Sequence, residues 1–251
     1  MMDLSLSFTI WFSQRTGSTW LCQALSSTNI AGQPREWFNA ADPAELPAYY
    51  GVTNVPDMIA KMRQEGTTPN GVFGLKQGIS YPYFERLLTL LGQGTASQSV
   101  SRIDLWETSF PNHKHIFMTR RNKVRLAVSW WRAIRSGEWH RRQGESKSNA
   151  DLTGAYSFDA IDHLISESML REAALQELFD EAQIIPLTLT YEDMLKDPQA
   201  TVQNVLGYLG CENCATTQLA TDFQRLSDDL SEEWVQRYRR EKQASWQSRG
   251  W

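Results

Sequence analysis

Short apolar runs of strand length alternate along the chain with segments of helical periodicity. Leu6–Phe12 is an apolar, β-branched run that reads as a strand, and a turn follows at residues 13–17. From Ser18 the spacing becomes helical, with Trp20, Leu21, Ala24 and Leu25 on one face. Residues 57–64 read as a helix, with Pro56 near the start and Gly66 at the end. Residues 72–76 read as a strand, 81–91 as a helix and 115–119 (HIFMT) as a strand. The next helix carries Val124, Ala127, Val128, Trp131 and Ile134 on its apolar side. A long helical region spans 157–182, a strand 184–190, a helix 201–209 and a polar helical stretch 218–242. Strands alternating with helices predict an α/β fold, a central parallel sheet with helices on both faces. There is no internal repeat. Residues 138–156 are polar and weakly patterned, and read as a flexible basic loop rather than a domain boundary. Residues 1–251 are therefore expected to form a single domain with a helical C-terminal tail from about residue 217.

Composition narrows the class. Of 251 residues, 41% are hydrophobic, enough to bury a sizeable core. The net charge of −4 excludes a general nucleic-acid or anionic-membrane binder. No run approaches the roughly 20 apolar residues that span a bilayer, so no membrane insertion is expected. The first seven residues carry Asp3 and no basic stretch, and do not read as a secretory signal. Three cysteines cannot build a disulfide framework, so a cytoplasmic protein with free thiols is expected.

The junction of the first strand and helix reads Ser13-Gln14-Arg15-Thr16-Gly17-Ser18-Thr19-Trp20. A tight turn entering a helix presents N–H groups without intrahelical partners, and the helix dipole adds positive potential. Gly17 permits a positive φ or a close backbone approach. Ser18 and Thr19 add hydroxyls, and Arg15 adds a forked cation suited to phosphate or sulfate. The same letters also describe a strand–turn–helix corner with an N-capping serine. No Lys precedes Ser18 or Thr19, so this is not the G-x-x-x-x-G-K-[ST] loop of ATP and GTP enzymes.

Residues 120–142 hold eight Lys or Arg against one acid, Glu138. Arg121 follows the predicted strand and Ser129 lies eight residues further on. Such a run suits a solvated helix face or a pocket for a polyanion.

Together these blocks resemble the PAPS-dependent sulfotransferase superfamily, whose donor is 3′-phosphoadenosine 5′-phosphosulfate (PAPS). SQRTGSTW is similar to its 5′-phosphosulfate loop: a basic residue, x, Gly, Ser/Thr, Thr. Residues 121–129 resemble its 3′-phosphate motif, an Arg and a Ser eight positions apart across a strand-to-helix junction. Residues 190–198 (TYEDMLKDP) resemble a third shared block, and the three stand in the family's order. GQPREWFN at 32–39, VFGLK at 72–76 and Trp130-Trp131 look like the bacterial trehalose-type branch. The resemblance implies a P-loop-like α/β fold and sulfuryl transfer to a hydroxyl of a small acceptor, such as a carbohydrate or glycolipid. It also implies 3′-phosphoadenosine 5′-phosphate as product, no metal, and a homodimer.

By the same resemblance, Arg15, Thr16, Gly17, Ser18 and Thr19 hold the 5′-phosphosulfate, and Arg121 and Ser129 the 3′-phosphate. Trp20 matches a position that stacks on adenine and Tyr191 a nucleotide-side position, though both also suit plain packing. Many relatives carry a Lys followed two residues later by a catalytic His. Here Lys76 is followed by Gly78, so another group must accept the proton of the acceptor hydroxyl. Glu36 is the candidate, because the trehalose-type branch places a carboxylate in this motif. Its place between Arg35 and Trp37 also suits a partly desolvated base. The plain alternative is a surface pair of Glu36 with Arg35. His140, in the basic loop, is the rival base if that loop closes over substrate. Arg15 and Lys76 would stabilise developing charge.

Cys211-Glu212-Asn213-Cys214 is a lone C-x-x-C with neither two further ligands nor the strand–helix setting of a redox pair. His113, His115, His140 and His163 show no metal spacing. Trp37, Trp130, Trp131 and Trp139 suit sugar stacking or core packing. In the tail, Trp234, Tyr238, Trp246 and Trp251 suit packing on the body or on a partner subunit. Arg225 or Arg237 would correspond to the late basic residue that reaches the 3′-phosphate in relatives. Two rival classes stand beside this reading. The missing lysine disfavours a P-loop-type kinase, and Gly78 leaves open an inert nucleotide-binding module.

Overall fold

A computed structural model describes residues 4–93, 101–142, 144–146, 148–211, 227–244 and 246. Among them, strands β1 (Leu6–Phe12), β2 (Val72–Gly78), β3 (His113–Thr119) and β4 (Leu187–Thr190) form one parallel sheet in the order β2-β1-β3-β4. Ile10 stands opposite Lys76 and Ile116, and Thr119 opposite Thr190, so the carboxyl ends of all four strands share one edge. Parallel neighbours require crossovers. These are α1 (Ser18–Ser27), α2 (Leu46–Tyr49) and α3 (Val55–Gly66), then α4 (Tyr81–Leu91) and α5 (Arg102–Ser109), then α6 (Lys123–Ser136) and α7 (Phe158–Glu181). α8 (Tyr191–Lys196), α9 (Pro198–Leu209) and α10 (Asp229–Gln243) follow β4. The described residues fall into two compact units, one drawn from 1–119 and 171–221, the other from 120–170 and 222–251.

The first unit holds the sheet, covered on both faces. Alternation along β1 sends Phe8, Ile10 and Phe12 into a cluster with Leu21 and Leu25 of α1 and Val202 and Val205 of α9. Trp11 points the other way, packing against Phe84 of α4, Trp106 of α5 and Phe179 of α7. Strands buried on both sides read as nearly continuous apolar runs, which is why β1 and β3 stand out in the sequence.

A polar network lies within the second face. Trp11 Nε1 donates to His115 Nδ1 at 3.0 Å, and His115 Nε2 faces Glu107 Oε1 at 3.1 Å. An indole can only donate, so His115 carries its proton on Nε2. Ser7 donates to the carbonyls of Phe110 (2.9 Å) and Pro111 (2.8 Å), and therefore accepts from His113 Nδ1 at 2.7 Å. His113 Nε2 then accepts from Thr9 at 2.8 Å, whose oxygen takes the Trp106 N–H at 3.0 Å. Burial pushes both imidazoles down, His113 well below its ordinary value.

Several boundaries differ from the sequence reading. α3 begins at Val55 because Asn54 caps it, its side chain accepting from Asp57 N at 2.8 Å. β4 begins only at Leu187, since the Ile184 N–H closes the end of α7 on the Phe179 carbonyl and Pro186 has no N–H to give a ladder. Residues 191–196, inside the third resembling block, are helical, with Thr190 as N-cap. The unpredicted α5 opens with a Ser101–Asp104 capping box.

In the second unit, α6 packs on α10 through Leu126, Ala127 and Trp130 against Trp234 and Tyr238. Of the five residues expected on the apolar side of α6, Ala127 and Val128 are buried in this cluster and Val124 and Trp131 pack against it; Leu126 and Trp130 join them, while Ile134 is 45% exposed. Along the same seam Glu232 takes Arg125 at 2.6 Å and Asp228 takes Arg132 at 2.5 Å. Glu138 likewise takes Arg141 at 2.7 Å, so Arg125, Arg132 and Arg141 of this basic run are held in ion pairs within the chain. Arg237 is engaged too, by Glu241 at 2.9 Å and over the Tyr156 ring. Arg225, Cys214, Trp251 and the first part of the expected tail helix, 218–226, lie outside the described residues. Residues 138–156 hold no helix or strand among the described residues. No described helix is long and apolar enough to cross a membrane.

Candidate active site

β1 ends at Phe12 and α1 starts at Ser18, at the carboxyl edge of the sheet where open α/β folds bind ligands. In the turn between them, Ser13 and Thr16 are buried, and Thr16 Oγ1 donates back to the Ser13 carbonyl at 2.9 Å. Arg15 and Gly17 both take positive φ, 64° and 85°. Gly17 is the N-cap of α1, and no side chain caps that helix start. The N-capping serine considered above is thus absent, and the loop presents an uncapped first turn with positive dipole potential. A Cβ on Gly17 would stand 2.5 Å from Met194 Cε and 3.0 Å from the Tyr191 ring. Tyr191 therefore packs directly on the loop. Trp20 lies half-buried on the same apolar cluster as Leu21.

Residues 32–38 run beside β2 as a partial extra strand. The Lys76 N–H donates to the Arg35 carbonyl at 3.0 Å, Arg35 and Leu75 form a parallel bridge, and Trp37 Nε1 donates to the Gly74 carbonyl at 2.8 Å. Gly74 makes this approach possible: a Cβ there would stand 2.7 Å from Phe8 and 2.9 Å from Pro34. Arg35 turns outward to Glu65 (2.6 Å) and over the Trp37 ring, so it is not the partner of Glu36. Glu36 pairs instead with Lys76, Oε1 to Nζ at 2.6 Å. The same ammonium reaches Thr19 Oγ1 at 2.8 Å and lies over the Phe12 ring. Lys76 is nearly fully buried, whereas the Glu36 side chain is 44% exposed. A buried cation thus links the loop helix to a half-open carboxylate. The buried Cys22 thiol is pushed up to about 12 by burial, which removes it as a nucleophile.

Glu36 lines a cavity of about 190 Å³, together with Phe12, Gln14, Phe38, Gly78 and Arg171. A Cβ on Gly78 would meet the Phe12 carbonyl at 3.4 Å and the Phe12 ring at 3.6 Å, ordinary contact distances, so the backbone there does not itself exclude a side chain. Gln14 and Arg171 are contacts that sequence reasoning missed. Gln14 lay inside a motif defined by its neighbours, and Arg171 looks like any solvated charge on a long helix. Among the described residues no group of three or more His, Cys, Asp or Glu is placed to hold a metal.

The first unit therefore brings together the loop (Arg15, Thr16, Gly17, Ser18, Thr19), Glu36, Lys76 and Tyr191. Arg121, Ser129 and His140 belong to the second unit. There Arg121 is exposed just ahead of α6, whose N-cap is Asn122, and Ser129 is half-buried two turns into the helix. His140 is exposed.

The model of the Stf0 sulphotransferase family matches residues 7–241. The chain belongs to that family. It is an enzyme that transfers sulfuryl groups. Two relatives are each named trehalose 2-sulfotransferase. The one from Mycolicibacterium smegmatis is 28% identical over 268 residues, covering 97% of this chain and 98% of its own. The one from Mycobacterium tuberculosis is 28% identical over 258 residues, covering 91% and 92%. A crystal structure of a sulfotransferase from Alicyclobacillus acidocaldarius covers 92% of this chain and 90% of its own, at a TM-score of 0.46 and 17% identity.

Proposed function

We propose that this sulfotransferase moves a sulfuryl group from PAPS to a hydroxyl of a sugar, with trehalose as the first candidate. Family membership and the chemistry of the loop support the donor. An uncapped helix start, the Arg15 guanidinium and the Ser18 and Thr19 hydroxyls suit an anionic phosphosulfate. In this reading Arg121 and Ser129 take the 3′-phosphate, Tyr191 borders the nucleotide and Trp20 backs the loop. The two named relatives support the sugar. The enzyme acts as a cytoplasmic homodimer, needs no metal, and has no nucleic-acid or membrane partner.

The observation that carries the catalytic roles is the position of Lys76 Nζ, 2.6 Å from Glu36 and 2.8 Å from Thr19. It supports a site where base, cation and loop converge. Glu36 takes the proton of the attacking hydroxyl. The acceptor oxygen forms a bond to sulfur as the bond from sulfur to the nucleotide's phosphate oxygen breaks, releasing 3′-phosphoadenosine 5′-phosphate. Arg15 and Lys76 stabilise the charge that builds on the sulfuryl oxygens and the departing phosphate. The ion pair also keeps the Glu36 carboxylate oriented until a hydroxyl replaces solvent beside it.

The test is a thermal-shift titration with 3′-phosphoadenosine 5′-phosphate beside ADP and ATP·Mg²⁺. A ligand at about 100 times its Kd stabilises the fold by roughly 2.7 kcal/mol. A shift with the 3′-phosphorylated nucleotide alone is expected. A shift with ATP·Mg²⁺ and none with that nucleotide would hand the site to the kinase reading.

A further inference from the structure

We infer that Arg171 selects the acceptor, its guanidinium taking two neighbouring hydroxyls of a neutral polyhydroxylated ring, and that Gln14 ties this recognition to the donor loop. The inference rests on the sulfuryl-transfer reading above and deepens it.

Arg171 and Glu36 line the same cavity. A molecule that brings one hydroxyl to Glu36 must present its other polar groups to the rest of that lining. Among the described residues, Arg171 is the one cationic side chain lining it. Its Nη1 donates to Gln14 Oε1 at 2.9 Å. Arginine has no acceptor atom, so the side of Gln14 that faces it is the carbonyl oxygen, and the amide donors of Gln14 face elsewhere. A bond at one corner fixes the plane of the fork, and a planar fork of N–H groups suits a pair of adjacent oxygens better than a single one.

The backbone beneath Arg171 is anchored as well. The next residue, Glu172, accepts from Ser13 Oγ at 3.2 Å and from Thr119 Oγ1 at 3.0 Å, joining α7 to the carboxyl ends of β1 and β3. Two adjacent residues of α7 thus hold two adjacent residues of the loop, Arg171 with Gln14 and Glu172 with Ser13. Those two loop residues lead directly into Arg15, whose positive φ needs such support. A guanidinium held this way is preorganised, and little rotamer freedom remains to be lost on binding. Phe12, Phe38 and Tyr83 give the cavity apolar faces beside these polar edges. A sugar ring has the matching pattern, C–H faces and a hydroxyl rim. A cavity of about 190 Å³ is small beside those that enclose whole drug-sized ligands, which suits a single ring.

The experiment uses the full chain saturated with 3′-phosphoadenosine 5′-phosphate. Trehalose, glucose, maltose and glucuronate are each titrated while thermal stability is followed, and sulfuryl transfer to the responding sugar is then assayed. R171A should raise the acceptor KM at least about tenfold, the usual loss for a charged hydrogen-bonding partner. Its nucleotide midpoint should move clearly less than the acceptor KM, because Glu172 still holds Ser13 of the loop. R171K, which keeps the charge and loses the fork, should fall between. An R171A enzyme with wild-type acceptor KM overturns the inference. So does an equal loss of nucleotide and acceptor binding, which would make Arg171 a prop for the loop. If R171A does not fold, R171K decides, and a wild-type KM in that variant overturns the assignment. A wild type that answers only to glucuronate overturns the neutral-ring class. A wild type that binds the nucleotide and answers to none of the four overturns the sugar acceptor itself, and this inference with it. A responsive wild type with an equally responsive R171A removes Arg171 alone.

Discussion

The sheet carries two polar clusters, one inside it and one at its carboxyl edge. Inside, His115 is buried and His113 half-buried among Ser7, Thr9, Trp11 and Trp106, and each imidazole nitrogen is answered by a partner. At the edge, Lys76 bonds Glu36 and Thr19, and Arg171 bonds Gln14, but Glu36, Gln14 and Arg171 line a cavity, and the Glu36 side chain is half open. A pair of buried histidines looks more like chemistry on paper than an exposed glutamate does. The geometry reverses that ranking. A saturated network fixes two strands and a helix, and has no valence left for a substrate. An open carboxylate beside a buried cation has a place for a hydroxyl to enter.

The contrast can be broken most forcefully at Glu36. Glu36→Gln keeps the shape and removes the proton acceptor. Turnover in a sulfuryl-transfer assay should fall about 10²- to 10⁴-fold. Stability should also fall, by about 1–3 kcal/mol, because the buried Lys76 ammonium loses its charged partner. Near-normal turnover would pass the base role to His140. The interior cluster should show the opposite behaviour, stability without catalysis. Both imidazoles sit below their ordinary values in the folded chain, so the fold favours their neutral forms. Stability is therefore whole above about pH 6.5 and falls as pH drops below it, because only the unfolded chain takes up the protons. The slope should approach about 1.4 kcal/mol per pH unit for each histidine, with Glu107 softening the share of His115. Urea midpoints between pH 8 and 5 measure this, and His113→Gln should remove about half of the acid slope. A flat midpoint would refute the neutral assignment. The smallest effect is expected at Arg35, whose pair with Glu65 lies on the surface. Arg35→Ala should cost less than about 1 kcal/mol and leave turnover near wild type. A large loss of activity would mean that Arg35, and not Lys76, positions Glu36.

Much of this was legible in the chain. The β1–loop–α1 unit, β2, α4, β3 and α7 announce themselves because buried parallel strands are apolar throughout and the helices between them keep their period. What escaped was decided by partners distant in sequence. On α6, Leu126 and Trp130 meet Trp234 and Tyr238 of α10, and Arg125 and Arg132 meet acids about a hundred residues away, at Glu232 and Asp228. Neighbours in sequence suggested Arg35 as the partner of Glu36, but a strand-like backbone sends adjacent side chains to opposite sides, and Lys76 of β2 lies where Glu36 points. Arg171 and Glu172 carry no local signal at all. They matter because a long helix passes the carboxyl ends of β1 and β3.

The segment that carries Glu36 is attached to the sheet mainly through backbone and an indole: the Arg35 carbonyl, the Arg35–Leu75 bridge and the Trp37 N–H. None of these bonds uses a side chain of the cavity wall, and the space they need comes from the bare Cα of Gly74. The wall facing the acceptor is therefore a replaceable panel hung on a fixed rail. The loop that faces the donor belongs to a different stretch of chain and is braced from α7 and α8. An enzyme assembled like this can be re-aimed at a new hydroxyl by rewriting residues 38–40, with Glu36 and its way of holding the sulfuryl donor left as they were.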